Sequence, residues 1–269
     1  KLPSMYDLTQ LTLQDITAMG SALRSFGQGA DSLETVADRC VQYFHQTLID
    51  PTTGKAACAL TRFFKTHAYS DLPPTLQARA ANLISPASLS QDNTVDLAQS
   101  DDITNCQIPP DLKCLTLLAT AGEKSEWCDR RHSKGHQAIP LISETAVSQI
   151  PMISQLIKGF GLDVGCVLAP DPHLLMALEH QTFNVFYIPT AAGSQFIPAQ
   201  TEFVEPFGIK SVLGFGGMLP SGNLFAVILF SKVTIPESTA SLFKTLPLNI
   251  KMAAIPLEAH ELFQPLQTA

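Results

Sequence analysis

The sequence predicts an α+β fold built on an antiparallel sheet, and three features carry that prediction. Segments with apolar residues at helical spacing are mixed irregularly with short apolar runs of strand length. The last two strand-like runs are joined by a short turn over residues 218–223, which makes them neighbours in a hairpin. Hydrophobic residues make up 45% of the 269-residue chain and charged residues 15%, where about 25% charged is ordinary, so the chain can cover a sheet with apolar helices. The elements do not alternate strictly between strand and helix, which argues against a parallel sheet.

The clearest helix covers residues 31–50. Asp31 or Ser32 can cap it, and Glu34 stands in the first turn, where the helix dipole favours a carboxylate. Leu33, Val36, Ala37, Cys40, Val41, Phe44 and Leu48 mark one buried face. Asp50-Pro51-Thr52-Thr53-Gly54 ends it. Residues 55–66 read as a strand. Residues 67–112 are an excursion punctuated by Pro73-Pro74, Ser85-Pro86 and Pro109-Pro110, with one short helix over 74–83. Residues 113–121 form a near-continuous apolar strand, ended by Gly122.

A polar loop over 123–136 follows, then a short extended piece at 138–141. A second helix is expected over 146–160, with Pro151 marking a kink or a late start. Residues 164–168, 183–188, 209–215 and 224–233 read as strands. The glycines of Gly214-Phe215-Gly216-Gly217 precede a strand rather than a helix, so they are expected to permit a bulge or hairpin twist rather than to cradle phosphate. A last helix runs from Pro236 to about residue 257, bent by Pro247.

Composition also limits function. Seventeen Lys and Arg against 24 Asp and Glu give a net charge of −7, which argues against a nucleic-acid partner. The longest unbroken apolar run, residues 224–230, is far short of the roughly 20 a membrane span needs. Six scattered cysteines differ from a secreted disulfide scaffold and suggest a reducing, cytoplasmic setting. The opening Lys1-Leu2-Pro3-Ser4 has neither a signal-peptide layout nor an initiator Met, as expected of a piece of a longer protein.

Several segments together carry a family likeness. They are Cys114-Leu115-Thr116-Leu117-Leu118-Ala119-Thr120-Ala121-Gly122, Ser133-Lys134-Gly135-His136-Gln137-Ala138-Ile139-Pro140-Leu141 and Phe183-Asn184-Val185-Phe186-Tyr187-Ile188-Pro189. Phe207-Gly208-Ile209-Lys210-Ser211-Val212-Leu213-Gly214-Phe215 and Gly222-Asn223-Leu224-Phe225-Ala226-Val227-Ile228-Leu229-Phe230 complete the set. In that order they resemble a GAF-type sensor domain, in an elaborated form found ahead of signalling modules in bacteria.

The resemblance spans about residues 31–257. It leaves 1–30 as an N-terminal helical or linker segment, 258–269 as a C-terminal linker, and about 67–112 as an insertion that a minimal GAF domain lacks. It implies a non-catalytic sensor, as in two-component signalling. Such a domain binds a small ligand and relays through its terminal helices to a downstream signalling domain of the same chain, with a homodimer as a further expectation. It leaves the ligand and any cofactor open, since such domains bind cyclic nucleotides, tetrapyrroles, haem, small anions or nothing.

The loop before residue 137 concentrates reactive side chains. As a pocket wall it offers Arg130 and Arg131 as forked donors for a carboxylate or phosphate and Trp127 as a stacking face. Ser133, His136 and Phe215 complete the expected ligand-contacting set. The alternative is a metal-, haem- or redox-responsive sensor. Cys128, His132 and His136 are spaced four and four, which on a helix stacks them on one face, with Cys106 or Cys114 as a fourth ligand. The plain reading of the same residues is a solvated turn whose Trp packs on the core, beside buried structural cysteines. No Gly-x-Ser-x-Gly nucleophile motif occurs, so an enzyme is the least expected class.

Overall fold

A computed structural model describes residues 4–84, 108–133, 136–171, 173 and 183–258. The expected α+β architecture is present: a six-stranded antiparallel sheet with helices on both faces. The sheet consists of β3 (Cys58–Ala68), β4 (Lys113–Gly122), β5 (Ala138–Pro140), β6 (Phe186–Ile188), β7 (Ser211–Met218) and β8 (Leu224–Ser231), and its order is β5-β4-β3-β8-β7-β6. Two short strands, β1 (Tyr6–Asp7) and β2 (Leu48–Ile49), pair separately in parallel.

The first two helices are fixed at their starts by side chains. In α1 (Leu13–Ser25) the Thr12 hydroxyl accepts from the Asp15 amide while the Asp15 carboxylate accepts from the Thr12 amide, a closed capping box. In α2 (Leu33–Thr47) the cap is Ser32, whose hydroxyl accepts from the Thr35 amide. Asp31 instead accepts from the Thr35 hydroxyl at 2.5 Å. The turn between these helices is held by Arg39, whose guanidinium donates to the carbonyls of Phe26 and Gln28.

α1, α2 and α8 (Leu246–Ala254) cover one face of the sheet. Met19 and Leu23 of α1, Phe44 of α2 and Ile250 of α8 are fully buried there with Phe63, Phe215 and Phe225 from the strands. The 1–30 segment therefore contributes to the main core through α1. The other face is covered by α4 (Glu144–Ser148), α5 (Pro151–Gly159) and α6 (Val164–Leu168), with Ile153, Leu156 and Phe160 packed on Phe64, Leu117 and Ile228. α3 (Pro74–Leu83) closes a smaller cluster on Cys114 and Ala138.

The structure corrects several expectations. Residues 164–168 form a helical turn, not a strand. Val164 and Val167, three apart, are its buried positions, and a five-residue apolar run has no intrinsic preference that would hold it extended. The helix expected over 146–160 divides into α4 and α5, with Ser143 capping α4 and Pro151 in the first turn of α5, where its missing N–H costs nothing. The last helix divides likewise into α7 (Glu237–Leu242), a 3₁₀ turn and α8, with Pro247 in the first turn of α8.

The glycines of β7 make no bulge, since β7 pairs β8 without a register break from Ser211↔Ser231 to Met218↔Leu224. They make room instead. A Cβ on Gly216 would lie 3.0 Å from the Phe160 ring and 2.0 Å from the Phe225 carbonyl oxygen. The bare backbone lets the aromatic side chains of the second face lie against the sheet. The strand expected over 55–66 runs to Ala68, so His67, first assigned to the insertion, is a buried strand residue. Residues 85–107 of that insertion lie outside the described residues, as does Cys106.

Candidate functional site

The loop between β4 and β5 is a chain of short turns pinned at four points. β4 stops at Gly122, where a Cβ would meet the Trp127 ring and the Ala59 carbonyl oxygen, each at 2.9 Å. The loop then makes two 3₁₀ turns, Ser125–Trp127 and Arg130–His132. Cys128 Sγ donates to the Gly122 carbonyl, and the Asp129 carboxylate accepts from the Arg131 amide at 2.8 Å. Farther on, Gln137 Nε2 donates to the Ser133 carbonyl at 2.5 Å and to the Arg131 carbonyl at 3.3 Å.

Each predicted site residue now has a place. Trp127 packs against Phe207 and Phe203, with ring centroids 4.6 and 5.7 Å away, and Lys124 Nζ lies over the Trp127 and Phe207 rings. Arg130 Nε donates to Glu34 Oε1 at 2.5 Å, with both side chains nearly buried, so this guanidinium ties the loop to α2. Arg131 is exposed beside Asp129. Ser133 is buried and its hydroxyl accepts from Arg62 Nη2 at 3.1 Å. His136 is exposed, in the left-handed region at φ 54. Phe215 is fully buried on the opposite face, between Phe44 and Phe243, and so shares no pocket with Trp127.

The four-and-four stacking of Cys128, His132 and His136 does not form. Two separate 3₁₀ turns replace the continuous helix that such stacking needs. Among the described residues no three of His, Cys, Asp and Glu come together as a metal site. Burial pushes the Cys114 thiol up to about 12, and Cys106, the other candidate fourth ligand, lies outside the described residues.

Sequence reasoning missed the residue at the centre of this region. Arg62 lies on β3 on the second face of the sheet, paired across the strands with Thr120 on one side and Ile228 on the other. Its Nε is buried without a hydrogen-bond partner among the described residues, and so is the Thr120 hydroxyl. Among the described residues no carboxylate offsets its charge. Burial alone lowers Arg62 to about 10, and burial together with the Arg62 charge holds His136 below the usual imidazole range. The signal was present as a charge inside the apolar stretch Leu60-Thr61-Arg62-Phe63-Phe64. The site thus gathers Arg62, Thr120, Ser133 and His136, with the Trp127 cluster at the start of the same loop.

The same strand carries a second buried cation. Lys65 is 2% exposed, and the hydrogen bond its ammonium makes among the described residues is a long one, 3.5 Å, to the Thr66 carbonyl. Burial lowers it to about 8, with Glu258 opposing and Lys113 adding to the shift. An unfolded lysine titrates near 10.4, so between about 8 and 10 the unfolded chain holds more protons than the folded one, and stability rises with pH. In urea unfolding across that window, the stability of the wild type relative to Lys65→Met is expected to increase by roughly 1–3 kcal/mol. A pH-independent difference would show that the folded protein keeps Lys65 charged.

No protein-family model matches the chain, and a search of curated proteins finds no match. Among the described residues no helix is long and apolar enough to cross a membrane.

Proposed function

We propose that this chain is a cytoplasmic, non-catalytic sensor domain of the GAF type. It binds a small ligand under the β4–β5 loop and relays its occupancy through the terminal helices to a signalling module of the same chain, without a nucleic-acid partner. The observation that carries the reading is the pair of buried polar groups under this loop, Arg62 Nε and Thr120 Oγ1, that have no partner among the described residues. An unmet buried donor costs about 1–3 kcal/mol, and a ligand can supply the missing acceptor. The antiparallel sheet with helices on both faces suits this reading. So does the route to the termini: the loop is tied through Arg130 and Glu34 to α2, and α2 shares its core with α1 and α8. A ligand that favours one arrangement of loop and α2 would shift the populations that α1 and α8 present.

A thermal-shift screen of nucleotides, amino acids, organic acids and sugars, followed by amide hydrogen exchange, tests this. A ligand at 100 times its Kd is expected to stabilise the fold by about 2.7 kcal/mol. It should also slow exchange both in the loop and in α1 and α8. Binding that leaves α1 and α8 unchanged, or a panel with no binder, would overturn the reading.

A further inference from the structure

We infer that the ligand of this face is a small oxyanion, the carboxylate or phosphate group of a metabolite-sized molecule, held by Arg62 with Ser133, Thr120 and His136 around it. This rests on the sensor reading of the same loop and adds the chemical class of the ligand.

The argument begins with the charge. Arg62 is partly buried on a strand whose neighbours on that face are Leu60, Phe64 and Ile228, and no described carboxylate pairs with it. A guanidinium held in apolar surroundings without a counter-charge is costly unless something supplies one. Its hydrogen bonds point the same way. One Nη2 hydrogen goes to Ser133 Oγ, while Nε–H has no partner among the described residues. Nε–H and Nη2 form the side-on fork that matches two oxygens of a carboxylate or phosphate.

The surroundings fit an oxyanion as well. Thr120 sits directly across from Arg62 in the ladder, 1% exposed, with a hydroxyl that can donate to a further lone pair of a carboxylate or to a third oxygen of a phosphate. His136, exposed three residues after Ser133, feels the Arg62 charge. Burial of His136 and, after it, the Arg62 charge hold His136 low; a bound anion would cancel the second of these, and His136 would then titrate at higher pH.

The test is titration of the whole chain with inorganic phosphate and, separately, with acetate, read by Trp127 fluorescence and by the NMR titration of His136. The expected result is saturable binding of at least one anion with an upward move of His136. Arg62→Lys should weaken binding by about tenfold, because a point charge replaces the fork, and Arg62→Met should abolish both signals. Thr120→Val and Ser133→Ala should each weaken it severalfold, and they keep the test decisive if Arg62→Met does not fold. Phosphate alone binding assigns a phosphoryl group, and acetate alone assigns a carboxylate.

Absence of binding by both anions, or binding unchanged in Arg62→Met, Thr120→Val and Ser133→Ala, overturns the inference. A neutral compound from the screen that binds equally to wild type and Arg62→Met would overturn it while leaving the sensor reading intact. Anion binding through Arg62 without slower exchange in α1 and α8 would leave this inference standing and remove the relay.

Discussion

Phe215→Ala is expected to lower the free energy of unfolding by about 3–5 kcal/mol. The ring is fully buried, with the ring centroids of Phe44 and Phe243 5.4 and 5.2 Å away. These three residues join β7, α2 and the 3₁₀ turn that precedes α8, so the cavity opens where three elements meet. Close-packed aromatic neighbours collapse poorly into such a space, which places the cost high in the range. Urea unfolding followed by circular dichroism measures it, and an unchanged m-value would show that the same surface is exposed. A loss below about 1 kcal/mol would mean that the site relaxes and that Phe215 is not a keystone of the first core. Anion binding under the loop should survive this substitution under conditions where the protein stays folded, because the ring is on the far face of the sheet.

Breaking the Arg130–Glu34 pair is expected to have the second-largest effect. The two side chains are 13% and 10% exposed, and they join the loop to α2 across 96 residues of chain. Arg130→Met removes this charge-assisted hydrogen bond from the nearly buried Glu34, and Glu34→Gln removes its charge from the nearly buried guanidinium. Each single change should cost roughly 2–4 kcal/mol, while the double variant, which removes both charges, should recover part of that loss. The loop can also release locally instead of unfolding the domain, so limited proteolysis between Lys124 and Gln137 is a second readout. Additive losses in the cycle with no gain in cleavage would show that the pair does not hold the loop. Release of the loop should also weaken any ligand held under it, since Ser133 would leave Arg62.

The elements that could be read from the sequence share one property: their signals are local. Ser32 and the apolar spacing through Phe44 mark α2, and Pro74 with the run to Leu83 marks α3. The apolar run from Cys114 to Gly122 marks β4, and the turn before Leu224 marks the β7–β8 hairpin. The misread elements lacked such a signal. Residues 164–168 are apolar in either conformation, and only packing against the second face makes them helical. The β7 glycines look like a hairpin device until the aromatic rings that lie against them are seen.

The candidate site divides in the same way. The sequence by itself determined that the polar loop before residue 137 carries the reactive side chains, and Ser133 does bond the half-buried Arg62, whose charge His136 feels. Only the tertiary structure decided that Phe215 faces the other core, that Arg130 pairs with Glu34, and that Arg62 and Thr120 stand opposite each other on β3 and β4. Helical and strand periodicity report neighbours a few residues apart. A sheet face instead joins residues by strand pairing, and here it brings Arg62 to Ser133 across 71 residues, beyond the reach of any local pattern.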